Sequence, residues 1–526
     1  MGAAPRIAPV FLAAALCYSP SPAEQGHEPV EAKLVTLNVV ALDNHGQPVR
    51  DLTADDFKIV DHGKPQKISF FRSNEQAAKK LDQPLEPHEF SNRRGTNLSH
   101  VTVIVFDVLN APLAEQGYSR NQVIKTLQQL ESGEYLYFYL LTVNGLYPVR
   151  ALPDGETDPS GAAWTRNVKQ LLDGALNKVM QMNPGLLPED RVATTFLSLE
   201  GLAGRMAAIP GRKNVVWITR GVPISVGPAR SSTGEVLDYE PMIHNFSTML
   251  DRAKIAVYPV DSMISSTSSL SSMPDISQAG PVAAPGRGTD PTSRNGGLGS
   301  MDTLTQIAGL TGGRASFSND SAAAIKQALE DARFSYMLGY DPSDNNWDGK
   351  YHKIQVTCTR RGVKIQTKQG YFATPPLTLE NGLEQAAVES ASVSPFDGTE
   401  IGLRVKVTPS DKVARGIHLQ TRIDSNDILL QRSGGNDATK YSGQLSVTLI
   451  QYDSSGRMFT SPTAGYKMQL TPEQRERALA TAFDIGRDWK VEDNITKVRL
   501  IVFDAGSKSI GSVTLPLADG DRSPAR

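Results

Sequence analysis

The stretch Val101-Thr-Val-Ile-Val-Phe-Asp107 is a run of apolar and β-branched residues that ends in a single carboxylate. Such a run predicts a buried strand, and its last residue would lie at the carboxyl edge of a parallel sheet, where α/β domains bind ligands and metals. The next residues, Val108-Leu-Asn-Ala-Pro112, offer few oxygen ligands, and the later strand Val215-Val-Trp-Ile-Thr219 is followed by Arg220. The sequence therefore favours a binding module over an enzyme.

Strands alternate with helices from this stretch onward. Further strands are predicted over 135–143, 215–219 and 255–261, and helices over 119–130, 165–180, 191–208, 239–254, 301–310 and 321–332. This alternation predicts an α/β domain over 99–333, with a doubly wound, mostly parallel sheet and helices on both faces. Residues 262–300 are rich in Ser, Gly, Pro, Ala and Thr, which predicts a flexible insertion, with a ligand-gripping loop as the alternative.

Two β-rich segments, 28–75 and 334–374, flank the α/β domain. Neither is large enough to hold a core alone, so we expect one β-sandwich built from both, with the α/β domain inserted between them. Polar residues over 76–98 predict a linker, and 375–398 predicts a second one. Strand patterns and turn spacing over 399–520 predict a C-terminal immunoglobulin-like β domain.

Composition and charge exclude several functional classes. The chain has 526 residues, enough for roughly three or four domains, and a net charge of −2. Its charges are spread along the chain, which argues against binding nucleic acid or an anionic membrane surface. No two of the eight histidines have zinc-ligand spacing, and no nucleophile elbow or phosphate-binding loop is found. The turn with Asp341, Asp344 and Asp348 predicts a solvated loop, with calcium binding as the alternative.

The amino end predicts an export signal over 1–23. Arg6 precedes an apolar stretch over 7–16 that is too short to span a bilayer, and Ser-Pro residues follow it. We therefore expect an exported protein, periplasmic, on the cell surface or secreted, without a transmembrane segment in the mature chain; an apolar start to a cytosolic protein is the alternative. Leu16 before Cys17 disfavours lipid attachment. Cys358 would then be the one cysteine left, on a strand face with Ile354 and Val356, so burial alone must stabilise the fold.

Several strings together resemble a known family. Over most of residues 34–373 the chain is similar to von Willebrand factor type A (VWA) proteins, in particular to the acidobacterial branch of exported VWA-related proteins. The resemblance rests on Gly46-Gln-Pro-Val49, Asp56-Phe-Lys-Ile-Val-Asp61-His-Gly-Lys-Pro-Gln66, Val105-Phe-Asp107 with Asn110, Pro210-Gly-Arg-Lys-Asn-Val-Val-Trp-Ile-Thr-Arg-Gly221, Ala256-Val-Tyr-Pro-Val-Asp261, and Tyr336-Met-Leu-Gly-Tyr340 with Gly349-Lys350.

The resemblance implies a magnesium-dependent adhesion site at the carboxyl edge of the sheet. The family uses Asp-x-Ser-x-Ser after the first strand, a Thr from a nearby loop and an Asp after the fourth strand. Asp107 matches the first ligand, but the two Ser positions fall on Leu109 and Ala111, which carry no side-chain oxygen. Thr194 or Thr195 is the candidate for the Thr ligand. The site is therefore predicted to be degenerate.

The last family ligand falls on Arg220, whose charge would repel a dication. We therefore expect no cofactor and no bound Mg²⁺. Arg220 either forms an ion pair with Asp107 in place of the ion or points into solvent, and Asn110 either replaces an oxygen ligand or forms a turn.

Two functional hypotheses follow. The first is an exported, non-enzymatic interaction or adhesion protein that meets a protein or cell-surface partner. The second is a divalent-metal-dependent adhesion protein that uses Asp107 and substitute ligands. A hydrolase would need paired carboxylates or an activated nucleophile, and the sequence shows neither. The residues predicted to form the binding rim are Asp107, Asn110, Thr194, Thr195 and Arg220.

Overall fold

A computed structural model of the chain supplies the coordinates. It describes residues 35–73, 84–93, 101–110, 113–130, 135–152, 164–180, 188–207, 209, 212–222, 225–226, 237–261, 296–317, 320–342, 348–373, 380–394, 396–432 and 440–518. The predicted signal segment 1–23, with Cys17, lies outside these residues, as do positions 262–295 of the predicted insertion.

The elements are numbered in chain order. The strands are β1 (Val35–Leu42), β2 (Phe57–Asp61), β3 (Lys64–Gln66), β4 (Ile68–Ser73), β5 (Glu89–Ser91), β6 (Thr102–Asp107), β7 (Leu136–Thr142), β8 (Gly145–Arg150), β9 (Lys213–Thr219), β10 (Ser225–Val226), β11 (Leu237–Asp238), β12 (Ile255–Asp261), β13 (Tyr336–Tyr340), β14 (Tyr351–Cys358), β15 (Lys364–Gln366), β16 (Gly370–Phe372), β17 (Leu403–Pro409), β18 (Gly416–Ile423), β19 (Gln431–Arg432), β20 (Tyr441–Asp453), β21 (Met458–Thr460), β22 (Ala464–Leu470), β23 (Phe483–Lys490), β24 (Ile495–Asp504) and β25 (Ser509–Pro516). The α-helices are α1 (Leu113–Gln128), α2 (Val168–Met180), α3 (Pro188–Ala207), α4 (Glu240–Arg252), α5 (Gly296–Thr311), α6 (Ser321–Arg333), α7 (Glu380–Val393) and α8 (Pro472–Ala480).

A five-stranded sheet with the order β12-β9-β6-β7-β8 forms the centre of the α/β part. The first four strands in that order are parallel, and β8 pairs antiparallel with β7. Every residue of the four parallel strands is buried, which explains their uninterrupted apolar sequences. Residues of α1, α2 and α6 pack on one face, and residues of α3, α4 and α5 pack on the other. The predicted α/β class is confirmed.

Two local features of this part differ from what the sequence predicted. Strand β8 was not predicted, because its residues are only half-buried and Pro148 interrupts the apolar pattern. Helix α5 begins at Gly296, so the last residues of the predicted insertion 262–300 are helical. Their glycine-rich composition favours a loop, but Leu304 and Ile307 of the same helix pack into the core, and tertiary packing overrides local propensity.

The two flanking β segments pair with each other. Strand β1 is antiparallel to β13, and β2 is antiparallel to β14, so both four-stranded sheets combine strands from before and after the α/β part. Their shared core contains Leu37 and Val39 from the first segment and Tyr336, Leu338 and Ile354 from the second. The chain thus leaves this β-sandwich, forms the α/β part and returns.

The C-terminal part is a second two-sheet β structure. One sheet has the order β23-β18-β17-β5, and the other has the order β19-β20-β24-β25, with β21 and β22 also paired to β20. Strand β5 lies within residues 76–98, so the linker prediction was wrong for Glu89–Ser91. Phe90 explains the difference, because it pairs with Val405 and packs against the C-terminal core despite its polar surroundings.

Charged side chains lie where the three parts meet, and we call Arg72, Arg93, Lys254, Glu400 and Asp427 the junction cluster. All are buried except Lys254, whose side chain is 28% exposed. The Arg93 guanidinium lies 2.9 Å from an Asp427 oxygen, and Lys254 Nζ lies 2.6 Å from Glu400 Oε1. Arg72 donates a hydrogen bond to the Glu400 carbonyl oxygen. Burial raises the pKa of Glu400, but the positive charges of Lys254 and Arg72 outweigh it, so the pKa is lowered overall. Each part of the chain therefore supplies a charge that another part neutralises.

Removing one junction charge should destabilise the protein strongly. We expect Arg93→Ala to lower the free energy of unfolding by roughly 3–5 kcal/mol, because it leaves Asp427 buried without its cation. The matched control is Arg415→Ala, which breaks a 2.6 Å pair with Asp493 whose side chains are 56% and 77% exposed, and which should cost less than about 1 kcal/mol. Denaturant unfolding measures both, and equal losses would contradict the assignment.

Lys213, an electrostatic neighbour of Lys254 and Glu400 in the junction cluster, makes the stability of the fold depend on pH. Its side chain is buried, Nζ donates to the Ile209 carbonyl at 2.7 Å, and burial, helped by Lys254, lowers the pKa to about 7. The unfolded chain keeps an ordinary lysine, so between about pH 7 and 10 it binds more protons than the folded chain, and stability should rise with pH. Relative to Lys213→Met, wild type should gain up to about 1.4 kcal/mol per pH unit in this window. Parallel stability curves for the two proteins would refute this.

Candidate binding site at the carboxyl edge of the sheet

The candidate site lies where the parallel strands β6 and β9 end side by side. Asp107 is the last residue of β6, Thr219 is the last residue of β9, and the two strands are hydrogen-bonded neighbours. The Thr219 hydroxyl donates to Asp107 Oδ2 at 2.6 Å. In turn, Thr219 Oγ1 accepts the backbone N–H of Gly221 at 2.8 Å, so the hydroxyl hydrogen is free to point at the carboxylate.

Asp107 is 2% exposed, and its two oxygens accept four hydrogen bonds. Oδ1 accepts the backbone N–H groups of Leu109 at 3.0 Å and Asn110 at 2.9 Å, which folds the chain back over the end of β6. Oδ2 accepts the Asn110 side-chain amide at 2.8 Å and the Thr219 hydroxyl. A carboxylate has about four lone-pair positions, so its acceptor capacity is filled.

Asn110 continues the network toward α3. Its amide also donates to Thr195 Oγ1 at 2.9 Å, and Thr195 donates to the carbonyl of Arg191, one turn earlier in the helix, at 2.8 Å. The Arg191 guanidinium donates back to the Leu109 carbonyl at 3.2 Å. The loop after β6 is therefore fastened at both ends, to the strand by Asp107 and to α3 by Arg191 and Thr195.

Burial sets the electrostatics of this site. It raises the pKa of Asp107, and the hydrogen bonds from Thr219, Asn110 and the Leu109 amide oppose that rise. The donors are thus what stabilises a negative charge at this position. A network of this kind rigidifies its residues, because each lost donor would leave a buried acceptor unsatisfied.

The residues present do not fit the magnesium site that the family resemblance implies. Mg²⁺ requires oxygen lone pairs at near-octahedral positions, whereas both oxygens of Asp107 are occupied by N–H and O–H donors. Leu109 contributes its backbone N–H and no side-chain oxygen. Asn110 turns its amide nitrogen, not its oxygen, toward the carboxylate. Ala111 lies outside the described residues.

The structure brings Asp107, Asn110 and Thr195 together among the predicted rim residues. Thr194 is half-buried on α3, and its carbonyl accepts the Ser198 hydroxyl at 2.6 Å. Arg220 is half-buried and follows Thr219 directly. Among the contacts between described residues, Thr219 is the side chain that reaches Asp107 from the end of β9, by a hydroxyl–carboxylate hydrogen bond. The ion pair with Asp107, one of the two alternatives for Arg220, is not found among these contacts.

Sequence reasoning missed two residues of the network, Thr219 and Arg191. Thr219 carried a usable signal, because it ends a buried strand of the same predicted parallel sheet as the strand of Asp107. Arg191 carried none that we can identify, because a charged residue near a helix start is ordinarily solvated and its contact is with a backbone carbonyl.

Other predicted ligand groups lie apart from this network. Asp348 accepts the Lys350 backbone N–H at 2.9 Å and lies 3.3 Å from a His352 ring nitrogen, while Asp344 lies outside the described residues. No group of three or more His, Cys, Asp or Glu side chains suited to a metal occurs within the described part of the chain. Cys358 is half-buried and packs with Ile354 against the sandwich core, as its strand position predicts.

Comparisons with known proteins do not assign a family. No protein-family model matches the chain, and no curated protein sequence matches it. A crystal structure of an aerotolerance-related membrane protein from Bacteroides fragilis is similar at 10% identity and a TM-score of 0.24, covering 44% of this chain and 98% of that one. A crystal structure of the human COPII-coat protein Sec24c is similar at 11% identity and a TM-score of 0.23, covering 56% of this chain and 46% of that one. A crystal structure of the pilus adhesin SpaC from Lactobacillus rhamnosus GG is similar at 9% identity and a TM-score of 0.24, covering 74% of this chain and 54% of that one.

These TM-scores are too low to support an inference about fold or function, so the site must be interpreted from its own geometry. As to the membrane, none of the described helices is long and apolar enough to cross a bilayer.

Removing the carboxylate should destabilise the fold whether or not magnesium is present. We expect Asp107→Ala to lower the free energy of unfolding by roughly 2–4 kcal/mol, because it leaves buried N–H and O–H donors unsatisfied. Thr219→Val, which removes one hydroxyl of the same network at constant shape, should cost roughly 1–2 kcal/mol. Denaturant unfolding with Mg²⁺ and with EDTA measures both losses. Stabilisation of wild type alone by Mg²⁺ would show that the carboxylate binds the ion.

Proposed function

We propose that the chain is an exported, non-enzymatic interaction module of the VWA type, whose degenerate adhesion site contacts a protein or cell-surface partner. The observation that supports this most is that four hydrogen-bond donors of the chain occupy the acceptor positions of Asp107, at the centre of the carboxyl edge. α/β sheets bind ligands at this carboxyl edge. Here, however, the Asp107 carboxylate at the edge is stabilised by hydrogen-bond donors of the chain itself. Binding at this rim would then need no divalent cation.

The same contacts argue against catalysis at this site. The Thr195 and Thr219 hydroxyls donate to a backbone carbonyl and to the Asp107 carboxylate, and both residues are 0% exposed, so neither hydroxyl can reach a substrate as a nucleophile. Asp107 has no unused lone pair with which to accept a substrate proton. These residues form a rigid support, which suits a recognition surface.

The half-buried residues around the support would make the contact. Asn110 and Arg220 flank the ends of β6 and β9, and Thr194 lies on the adjoining helix. Leu197 on the same helix is 68% exposed and adds an apolar group. A guanidinium beside polar and apolar groups suits a protein partner that presents a carboxylate.

A binding assay with a charge reversal tests this proposal. The mature chain, immobilised, would be titrated with the cell-envelope fraction of its source, and bound partner measured with and without EDTA. We expect Arg220→Glu to weaken binding by at least about fivefold through charge repulsion, and EDTA to have no effect. The control is Lys467→Glu, an exposed charge reversal on β22.

The alternative, a divalent-metal-dependent adhesion protein that uses Asp107, predicts the opposite response to EDTA. The position of Asp107 at the carboxyl edge beside Asn110 and Thr195 favours it as the second candidate. Loss of binding in EDTA, restored by Mg²⁺, would establish that alternative. Equal binding by the Arg220→Glu and Lys467→Glu proteins would show that the partner contacts another surface.

A further inference from the structure

A cleft of about 410 Å³ opens at the amino end of the central sheet, on the edge opposite to Asp107. All three parts of the chain line it. The α/β part contributes the residues around the start of β12 and the end of α5, and the β-sandwich contributes Thr36, Asn38, Tyr351 and Tyr371. The C-terminal part contributes Lys508, from the turn between β24 and β25. The cavity is large enough for a small organic molecule.

Positive charge dominates the lining. The charged residues that line the cleft are Arg212, Lys254, Lys368 and Lys508, with Asp251 as the one carboxylate among them. Lys368 Nζ lies 3.0 Å from both oxygens of Asp251, so this pair is neutral. The positive charge of Lys254 is neutralised by Glu400, whose Oε1 lies 2.6 Å from Lys254 Nζ. Two positive charges, those of Arg212 and Lys508, are left over.

Arg212 is 6% exposed, and its hydrogen bonds go to neutral groups. They are the Tyr258 hydroxyl at 3.1 Å, the Gly312 carbonyl at 3.4 Å and the Asn214 side-chain oxygen at 3.4 Å. The nearby carboxyl of Asp331 is fully buried and interacts electrostatically with Arg314 as well as with Arg212, so one carboxylate is shared between two guanidinium groups. Arg212 therefore keeps a positive potential at the inner end of the cleft.

Lys508 and Ser247 supply two further donors. Lys508 is exposed at the mouth, and among the described residues no ion pair is found for it. Ser247 lines the cleft, is 2% exposed, and its hydroxyl has no hydrogen-bond partner within the described part of the chain. A buried hydroxyl without a partner is costly, and a ligand oxygen in the cleft would satisfy it.

We propose that this cleft binds a small polyanion, a compound with two or more phosphate or carboxylate groups, between Arg212, Lys508 and Ser247. One anionic group would lie against Arg212 and Ser247, and a second would lie nearer the mouth, against Lys508. Because the lining comes from all three parts of the chain, such a ligand would also join them, and its binding would stabilise the whole folded chain.

Calorimetric titration of the full chain with pyrophosphate and with citrate tests this, with sodium chloride at matched ionic strength as the reference. We expect saturable binding of at least one polyanion, tighter than that of inorganic phosphate. Lys508→Gln should weaken it about tenfold, as expected for one charge-assisted hydrogen bond, and Ser247→Ala should weaken it about fivefold.

The control is Lys467→Gln, which removes the same charge from an exposed lysine that does not line the cleft. Lys508 is exposed, so its replacement should leave the fold intact, and thermal unfolding without ligand checks this. Binding no stronger than the salt reference would overturn the proposal. Equal weakening by Lys508→Gln and Lys467→Gln would overturn it too, because it would mean that the anions respond only to overall charge.

Discussion

A carboxylate buried at the centre of a sheet must be given hydrogen-bond donors, and the carboxyl edge of this protein is built around that requirement. Asp107 receives two backbone N–H groups, one amide and one hydroxyl, which leaves its oxygens without a vacant lone pair. The loop after β6 and the first turns of α3 are held in place by the same network. Asp107 lies where the VWA family, which the sequence resembles, binds a cation. Because donors of the chain occupy its oxygens, it forms instead a rigid support for the residues around it.

The three parts of the chain depend on a second set of buried polar contacts. In the junction cluster, Glu400 and Asp427 of the C-terminal part meet Arg72 of the β-sandwich, Lys254 of the α/β part and Arg93, which follows β5. Such pairs fix geometry more than they add stability, because each charge must first be desolvated. The candidate rim and the basic cleft lie at opposite ends of one sheet, and the cleft is lined by the same three parts of the chain that the junction cluster joins.

Much of the fold was predictable from the sequence, because burial on both faces gives β6, β7, β9 and β12 continuous apolar stretches. Strands β5 and β8 were not, since a three-residue strand and a half-buried hairpin strand have almost no periodic signal. The sequence identified Asp107, Asn110 and Thr195. It did not identify Thr219 as their partner, because which side chain reaches a carboxylate depends on strand register and rotamer rather than on residue type.

The central claim is that donors of the chain, and no dication, satisfy Asp107. A crystal structure of the full chain grown in excess magnesium tests it most directly. The account predicts Thr219 Oγ1 and Asn110 Nδ2 at hydrogen-bond distance from Asp107 Oδ2, with no density for an octahedral ion beside the carboxylate. An ion about 2.1 Å from an Asp107 oxygen, with Thr219 or Asn110 turned away, would contradict it.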